Sequence, residues 1–306
     1  MRLRRSVLIT PANNWTFLEK ASTSPADVSW LELEDGVHPT RKTEARDMAV
    51  KALQELDWGT KERIVRVNPM YTEDGPKDIT AITLSRPDAF LLTKVQDPSE
   101  VEQADRLISE IEESNEGDGV KIWCMIETAK GLVNVERIAT ASERVAALFF
   151  GGGDLSADLR VKRIGLGKGR VLPDLQGLQV ELLYGRSRTV AAARAAGVGA
   201  IDVVYNDFRD LEATYLDALY SFQLGFDGKM VLSPAQIPAV HRAFAPSEDD
   251  LNWAQRVVAA SEDAAKKAET VTVVDNEMVD GPFVLNAEAI IKKAEDIARA
   301  DSHLTV

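Results

Sequence analysis

The sequence predicts a (β/α)8 (TIM) barrel with a C-terminal extension of helix and hairpin, and three observations predict it. Eight short apolar runs punctuate the first 235 residues, helix-like stretches separate them, and the rhythm changes after Phe244. Strands alternating with helices read as consecutive βαβ units with a parallel sheet. Eight such units suit a closed barrel, and a chain of 306 residues accommodates one barrel with an appendage. A doubly wound sheet is the competing arrangement, but it usually has fewer strands and an early glycine fingerprint.

The apolar runs are SVLI (6–9), VSWLEL (28–33), RIVRV (63–67), AFLLT (89–93), KIWCMI (121–126), AALFF (146–150), AIDVV (200–204) and GKMVL (228–232). Between them, RKTEARDMAVKALQEL, SEVEQADRLISEIEES and GRSRTVAAARAAG read as helices. The barrel is expected over 1–245 and the extension over 246–306. The extension opens with an S-x-x-D capping signal at Ser247, which predicts an amphipathic helix. TVTVVDNEMVDGP then reads as a short hairpin, and a last helix runs from about Pro282 to Ala300. A segment this short is expected to pack on the barrel or on a neighbouring subunit rather than stand alone.

Composition excludes several classes of function. A net charge of −13 argues against nucleic acid or an anionic membrane as partner. The basic opening MRLRRSVLITP has too short an apolar run for a secretion signal. One cysteine, Cys124, rules out an internal disulfide and suits a reducing cytoplasm. The only histidines are His38, His241 and His303, so a zinc cluster is excluded, and no G-x-S-x-G elbow accompanies them. Carboxylates must therefore carry most of the acid–base or metal chemistry.

The C-terminal ends of barrel strands supply active-site groups. Those ends hold Glu34, Asp35, Arg66, Lys94, Glu127, Asp154, Asp207 and Ser233. Alternation puts Ile64, Arg66 and Asn68 on one face of the third strand, and the valines on the other face suit packing on helices. Arg66 then points into the barrel mouth. By the same parity Trp123, Met125 and Glu127 share a face, which makes Glu127 a neighbour of Asp154 after the sixth strand. Two converging carboxylates repel unless a proton or cation lies between them. An all-oxygen pair with open positions suits Mg2+, which retains waters and takes substrate oxygens.

Each residue also has a structural reading. Asp154 suits the N-cap of the helix that follows FFGGG, Glu127 suits a cap for TAKGLVNVERIA, and Arg66 suits an internal ion pair. The three glycines let backbone or ligand approach closely, with Gly153 a candidate substrate contact. Lys94, the obvious suspect for a Schiff base, has no aromatic cage and is expected to pair with a rim carboxylate. RVKRIGLGKGRV (160–171) carries five basic residues in an acidic chain; it reads as a solvated insertion, with a phosphate contact as the alternative.

The sequence resembles a known family at these residues. RSVLITPANN, LELEDGVHPTRKTEAR, VRVNP, MIETAKGL, FFGGGDLSADL, GRSRTVAAARAAGVGAID, VYNDFRD, GFDGKMVLSPAQI and EMVDGP follow one another as in the citrate lyase β-subunit-like proteins. These belong to the HpcH/HpaI aldolase superfamily, with malyl-CoA and citramalyl-CoA lyases among its members. The resemblance spans nearly the whole chain. It implies a Mg2+-dependent carbon–carbon lyase, with Mn2+ a possible substitute, acting on an acyl-CoA and a 2-oxo acid as a homotrimer or hexamer. It assigns Glu127 and Asp154 to the metal, Arg66 to the substrate's carboxylate or carbonyl, and Asp280 to general acid/base work from a neighbouring subunit. Asp35 falls near the metal's waters, and Arg5 becomes a candidate for CoA phosphates. The eighth strand departs from the family's H-P-x-Q element, reading Ser233-Pro234-Ala235-Gln236. Two rivals stand beside the acyl-CoA lyase. One is a CoA-independent class II aldolase with His38 as base, and the other is a β subunit of a multi-protein citrate lyase that needs an acyl carrier partner.

Overall fold

The computed structural model describes residues 2–112, 119–161 and 179–302. The chain forms two compact units, with the boundary along the sequence between His241 and Arg242. The expected basic insertion (160–171) lies outside the described residues from 162 onward.

In the first unit eight parallel strands close in sequence order. They are β1 (Ser6–Pro11), β2 (Val28–Glu32), β3 (Glu62–Val67), β4 (Ala89–Leu92), β5 (Lys121–Ile126), β6 (Val145–Phe150), β7 (Gly199–Asp202) and β8 (Gly228–Val231). Each coincides with one of the apolar runs. The β-branched and aromatic content of those runs favours pleated, half-buried backbone. Val7, Val28, Trp30, Ile64, Ala89, Leu91, Trp123, Met125, Ala147, Phe149 and Ile201 fill the interior. Trp30 meets Phe149 edge-on, with ring centroids 5.2 Å apart, an arrangement that aligns ring edge with ring face. The neighbours of these residues along each strand, such as Val65 and Val67, face the helical layer instead. Parity therefore decides which side chain continues from the core into the mouth. Beyond Trp30 lie Glu32 and Glu34; beyond Ile64, Arg66; beyond Leu91, Thr93; beyond Met125, Glu127; beyond Phe149, Gly151.

The opposite end of the barrel is sealed by ion pairs. The Arg4 guanidinium grips Glu62 with two hydrogen bonds of 2.6 and 2.7 Å and lies 4.7 Å from the Trp123 ring centroid. Arg5 forms a fork on Asp27, with Nε 2.9 Å and Nη2 3.0 Å from the carboxylate oxygens. His241 Nε2 lies 2.8 Å from Ser6 Oγ and 3.6 Å from Asp27.

A second group of charges is buried in the wall. Asp202 of β7 and Lys229 of β8 are register partners whose side chains turn outward, beneath helices Val180–Ala196 and Leu211–Gln223. Arg186 and Asp217 on those helices complete two acids and two bases, with Arg186 Nε 3.1 Å from Asp202 and Lys229 Nζ 2.6 Å from Asp217. Ser221 donates to Asp202 at 2.6 Å.

The second unit holds helix Glu248–Lys266, a hairpin of β9 (Thr272–Val274) and β10 (Glu277–Val279), and helix Gly281–Ser302. Ser247 and Asp250 form the expected reciprocal capping box. Asp275 and Asn276 both adopt positive φ, which gives the two-residue hairpin turn its twist. Ala254, Val257, Val274, Val279 and Ala287 make a small core of its own. No described helix is long and apolar enough to cross a membrane.

Candidate active site and metal centre

Glu127 follows directly on β5 and is 3 % exposed. Its Oε1 accepts hydrogen bonds from Thr93 Oγ1 at 2.7 Å and from the main-chain N–H of Lys94 at 2.8 Å. Its Oε2 takes no hydrogen bond among the described residues. Burial pushes the Glu127 carboxyl up to about 7 against the pull of Arg66 and Thr93, and the nearby charge of Asp154 adds to the rise.

The glycine beside it is needed for close approach. Gly151 stands where parity would send a side chain into the mouth, and a Cβ there would lie 2.4 Å from Glu127 Cβ and 2.8 Å from Oε2. At Gly152 a Cβ would crowd Leu182, Phe150 and Val203, whereas at Gly153 it would meet nothing within 4 Å. Thus Gly151 makes room for Glu127, and Gly153 leaves an open approach.

Asp154 lies in the first turn of helix Gly152–Asp158, where the N-cap is Gly151. The capping alternative thus fails for Asp154, as it does for Glu127, because Thr128 caps the next helix. The Asp154 side chain is half-exposed, and its one ion pair among the described residues is with Lys94 Nζ at 3.8 Å.

Arg66 reaches the mouth as parity requires. Its Nη2 donates to Thr93 Oγ1 at 2.8 Å and lies 3.0 Å from Glu34 and 3.5 Å from Glu127. Nη1 is 3.5 Å from Glu32. Its guanidinium carbon stands 5.5 Å from the centroid of Trp30. Burial alone would favour losing its proton, but the surrounding carboxylates hold its pKa above the ordinary arginine value. Lys94 pairs with rim carboxylates as expected: its Nζ donates to Glu34 and lies 3.2 Å from Asp35. Those two carboxylates raise its pKa over the opposing effect of burial. Asp35 is largely exposed and 3.9 Å from Arg66 Nη2. Burial raises the Glu34 carboxyl; Asp35 is lowered, since its bonds to Glu34 and Lys94 outweigh its own burial.

Glu32 and Thr93 complete the mouth and carry no role in the sequence reading. Both lie two residues beyond an interior side chain, so parity was the available signal. Asp207 and Ser233 are not drawn into this cluster: Ser233 caps Pro234–Gln236, and Gln236 braces strand ends by donating to Tyr205 O at 3.0 Å. His38 caps Pro39–Arg41 and pairs with Thr40 at 2.8 Å. The structure corrects the expectation for Arg5. It sits at the first turn of chain into β1, 1 % exposed and locked on Asp27, so it belongs to the floor of the barrel and not to the rim.

Among the described residues no three His, Cys, Asp or Glu side chains form a ready-made metal cage. Glu127 and Asp154 nevertheless keep carboxylate oxygens without hydrogen bonds, and the atoms they offer a metal are all oxygen. That set fits a hard, partly hydrated divalent cation and not zinc. Beside the mouth lies a cleft of about 460 Å3, walled largely by apolar groups including Ile9, Pro11, Phe17, Leu232 and Pro234, and touching Glu32.

An arginine fork and paired carboxylates stand together at the top of the barrel. The comparisons give the family. The HpcH/HpaI aldolase/citrate lyase family matches residues 5–234, and the chain belongs to it and is a lyase. The citrate lyase subunit beta of Leuconostoc mesenteroides subsp. cremoris is 35% identical over 303 residues, 98% of this chain and 96% of that protein. A (3S)-malyl-CoA thioesterase of Cereibacter sphaeroides is 35% identical over 294 residues, 96% of this chain and 95% of its own length. Among solved structures, the CitE protein of Mycobacterium tuberculosis in complex with magnesium, acetoacetate and coenzyme A matches with a TM-score of 0.78. It is 28% identical and covers 96% of this chain and 100% of that one.

Proposed function

We propose that the protein is a Mg2+-dependent lyase that cleaves or forms a 3-hydroxyacyl-CoA such as malyl-CoA or citramalyl-CoA, with a 2-oxo acid as co-product. The observation that carries this reading is the convergence of Glu127, Asp154 and Arg66 in one oxygen-lined mouth beside an apolar cleft. The magnesium, acetoacetate and coenzyme A named for the Mycobacterium tuberculosis relative support it.

Glu127 and Asp154 would hold the cation, with Asp35 near its waters; when bound, it supplies Lewis-acid stabilisation for oxygen charge that grows during cleavage. Arg66 presents a fork to the planar 2-oxo acid and offsets its charge. The open side of Gly153 lets the substrate approach the backbone. The cleft takes the apolar arm of the thioester. In cleavage a base removes the hydroxyl proton, the carbon–carbon bond breaks, and the electron pair passes to the thioester as an enolate. That enolate then takes a proton at carbon from Asp280.

Asp280 follows β10, and its Oδ1 is buried with no hydrogen-bond partner among the described residues. An unsatisfied carboxylate oxygen suits an acid/base group that is completed by substrate. Its unit also exposes Val273 and Met278 on the hairpin, which suits docking on the barrel of a second copy. In a cyclic oligomer built that way, Asp280→Asn and Glu127→Gln chains are each inactive alone. Co-expressed equally, they regain about a quarter of the sites. No regain in verified mixed oligomers would rule out the shared site.

The reading as a whole is tested by supplying purified protein and Mg2+ with several 3-hydroxyacyl-CoAs and following released 2-oxo acid. Turnover confined to assays containing an acyl carrier protein would favour the second reading, a citrate lyase β subunit, which the Leuconostoc relative supports.

A further inference from the structure

Lys94 touches both halves of the proposed metal centre. Its main-chain N–H holds Glu127, and its ammonium lies 3.8 Å from Asp154 while also engaging Glu34 and Asp35. It does so from a left-handed backbone position, φ +51°, which glycine adopts without strain. Glycine would keep the hydrogen bond to Glu127 and lose only the ammonium, so the ammonium is what a lysine adds here.

The charges give that ammonium a task. Among the described residues, five carboxylates, Glu32, Glu34, Asp35, Glu127 and Asp154, have only Arg66 and Lys94 as ion-pair partners. Arg66 is fixed by two hydrogen bonds to Thr93. Lys94 sits on a flexible stem and is less buried, and its contact with Asp154 is longer than those with Glu34 and Asp35. The Asp154 contact is therefore the one that yields first, and Lys94 keeps two partners when it does.

Resting on the Mg2+ reading above, we propose that Lys94 is a built-in counter-cation. It screens Asp154 and the Glu34–Asp35 pair in the metal-free protein and competes with Mg2+ for the site, so that it lowers Mg2+ affinity. This makes it a positioning residue that is neither a metal ligand nor a Schiff-base nucleophile.

The test is calorimetric titration of Mg2+ into wild type, Lys94→Met, Lys94→Gly and Lys94→Arg, with circular dichroism to verify folding. The methionine and glycine variants are expected to bind Mg2+ about tenfold more tightly or better, because a neighbouring positive charge is gone. Lys94→Arg is expected to bind as weakly as wild type. Mg2+ should also raise the melting temperature of the glycine variant more than that of wild type. The glycine variant suits the backbone and carries the test if the methionine variant fails to fold. Native-like variants that bind Mg2+ equally or more weakly would overturn the inference while leaving the metal centre intact. Absence of binding in wild type as well would overturn both.

Discussion

Two clusters of charge lie in one barrel and differ in balance. The group under the helices sets Asp202 and Asp217 against Arg186 and Lys229, two acids for two bases, all buried. The group in the mouth sets five carboxylates against Arg66 and Lys94, with Asp35 and Asp154 reaching solvent. The first balances acid against base, which helps buried ion pairs offset their desolvation. Among the described residues the second is left with excess negative charge, and that excess suits a cation from outside. Burial and charge alone do not single out the proposed site; the charge imbalance at the strands' C-terminal ends does.

The largest expected effect comes from exchanging the two losses. Asp202→Asn is expected to cost about 3–5 kcal/mol of stability by orphaning buried cations, with little change in kcat per folded molecule. Glu127→Gln should do the reverse, removing nearly all turnover at nearly unchanged stability. Thermal melts and rates on both proteins check this, and equal stability losses would dissolve the distinction.

Next in size, Arg66→Lys should be almost as damaging as Arg66→Ala, on the order of 100-fold or more in kcat/KM. A lysine offers a point charge where a planar oxo acid needs a fork. Near-normal kinetics in the lysine variant would make Arg66 structural.

Within the glycine run the contrast is finer. Gly151→Ala forces Glu127 to move and should lower kcat by about tenfold to 100-fold. Gly153→Ala meets open space and should leave kcat and folding intact, with a few-fold rise in KM if substrate approaches there. Steady-state kinetics of the pair separate the two positions.

The smallest effect is in acid. Burial would raise the Asp202 carboxyl, but Arg186 and Lys229 hold it below its usual range. A carboxyl depressed in the fold contributes stability above its unfolded value near pH 4, and that contribution is lost as pH falls through the depressed value. Melting temperatures should therefore drop more steeply below about pH 4 in wild type than in Asp202→Asn.

Strand order and the inward face of the mouth were legible because both follow from short-range pattern: apolar runs of strand length and a period of two. That pattern placed Arg66 and Glu127 correctly and, extended two residues further, reaches Glu32 and Thr93. The balanced cluster was not legible. Asp202 and Lys229 sit inside runs that read as apolar, on outward positions that helices normally cover with apolar contacts, and their partners are distant in sequence. Arg5 misled for a related reason. It precedes β1, and a residue's end of the strand, not its charge, decides whether it faces the rim or the floor. The short loop before helix Gly152–Asp158 was legible as close approach, but not which glycine served Glu127.

The central claim is that the unbalanced mouth is a metal centre built on Glu127 and Asp154. Crystals grown with Mn2+ test it most directly through anomalous scattering. The account predicts one strong peak within coordination distance of both carboxylates in wild type and none there in Glu127→Gln. A peak held instead by Glu34 and Asp35, or persisting unchanged in Glu127→Gln, would contradict it.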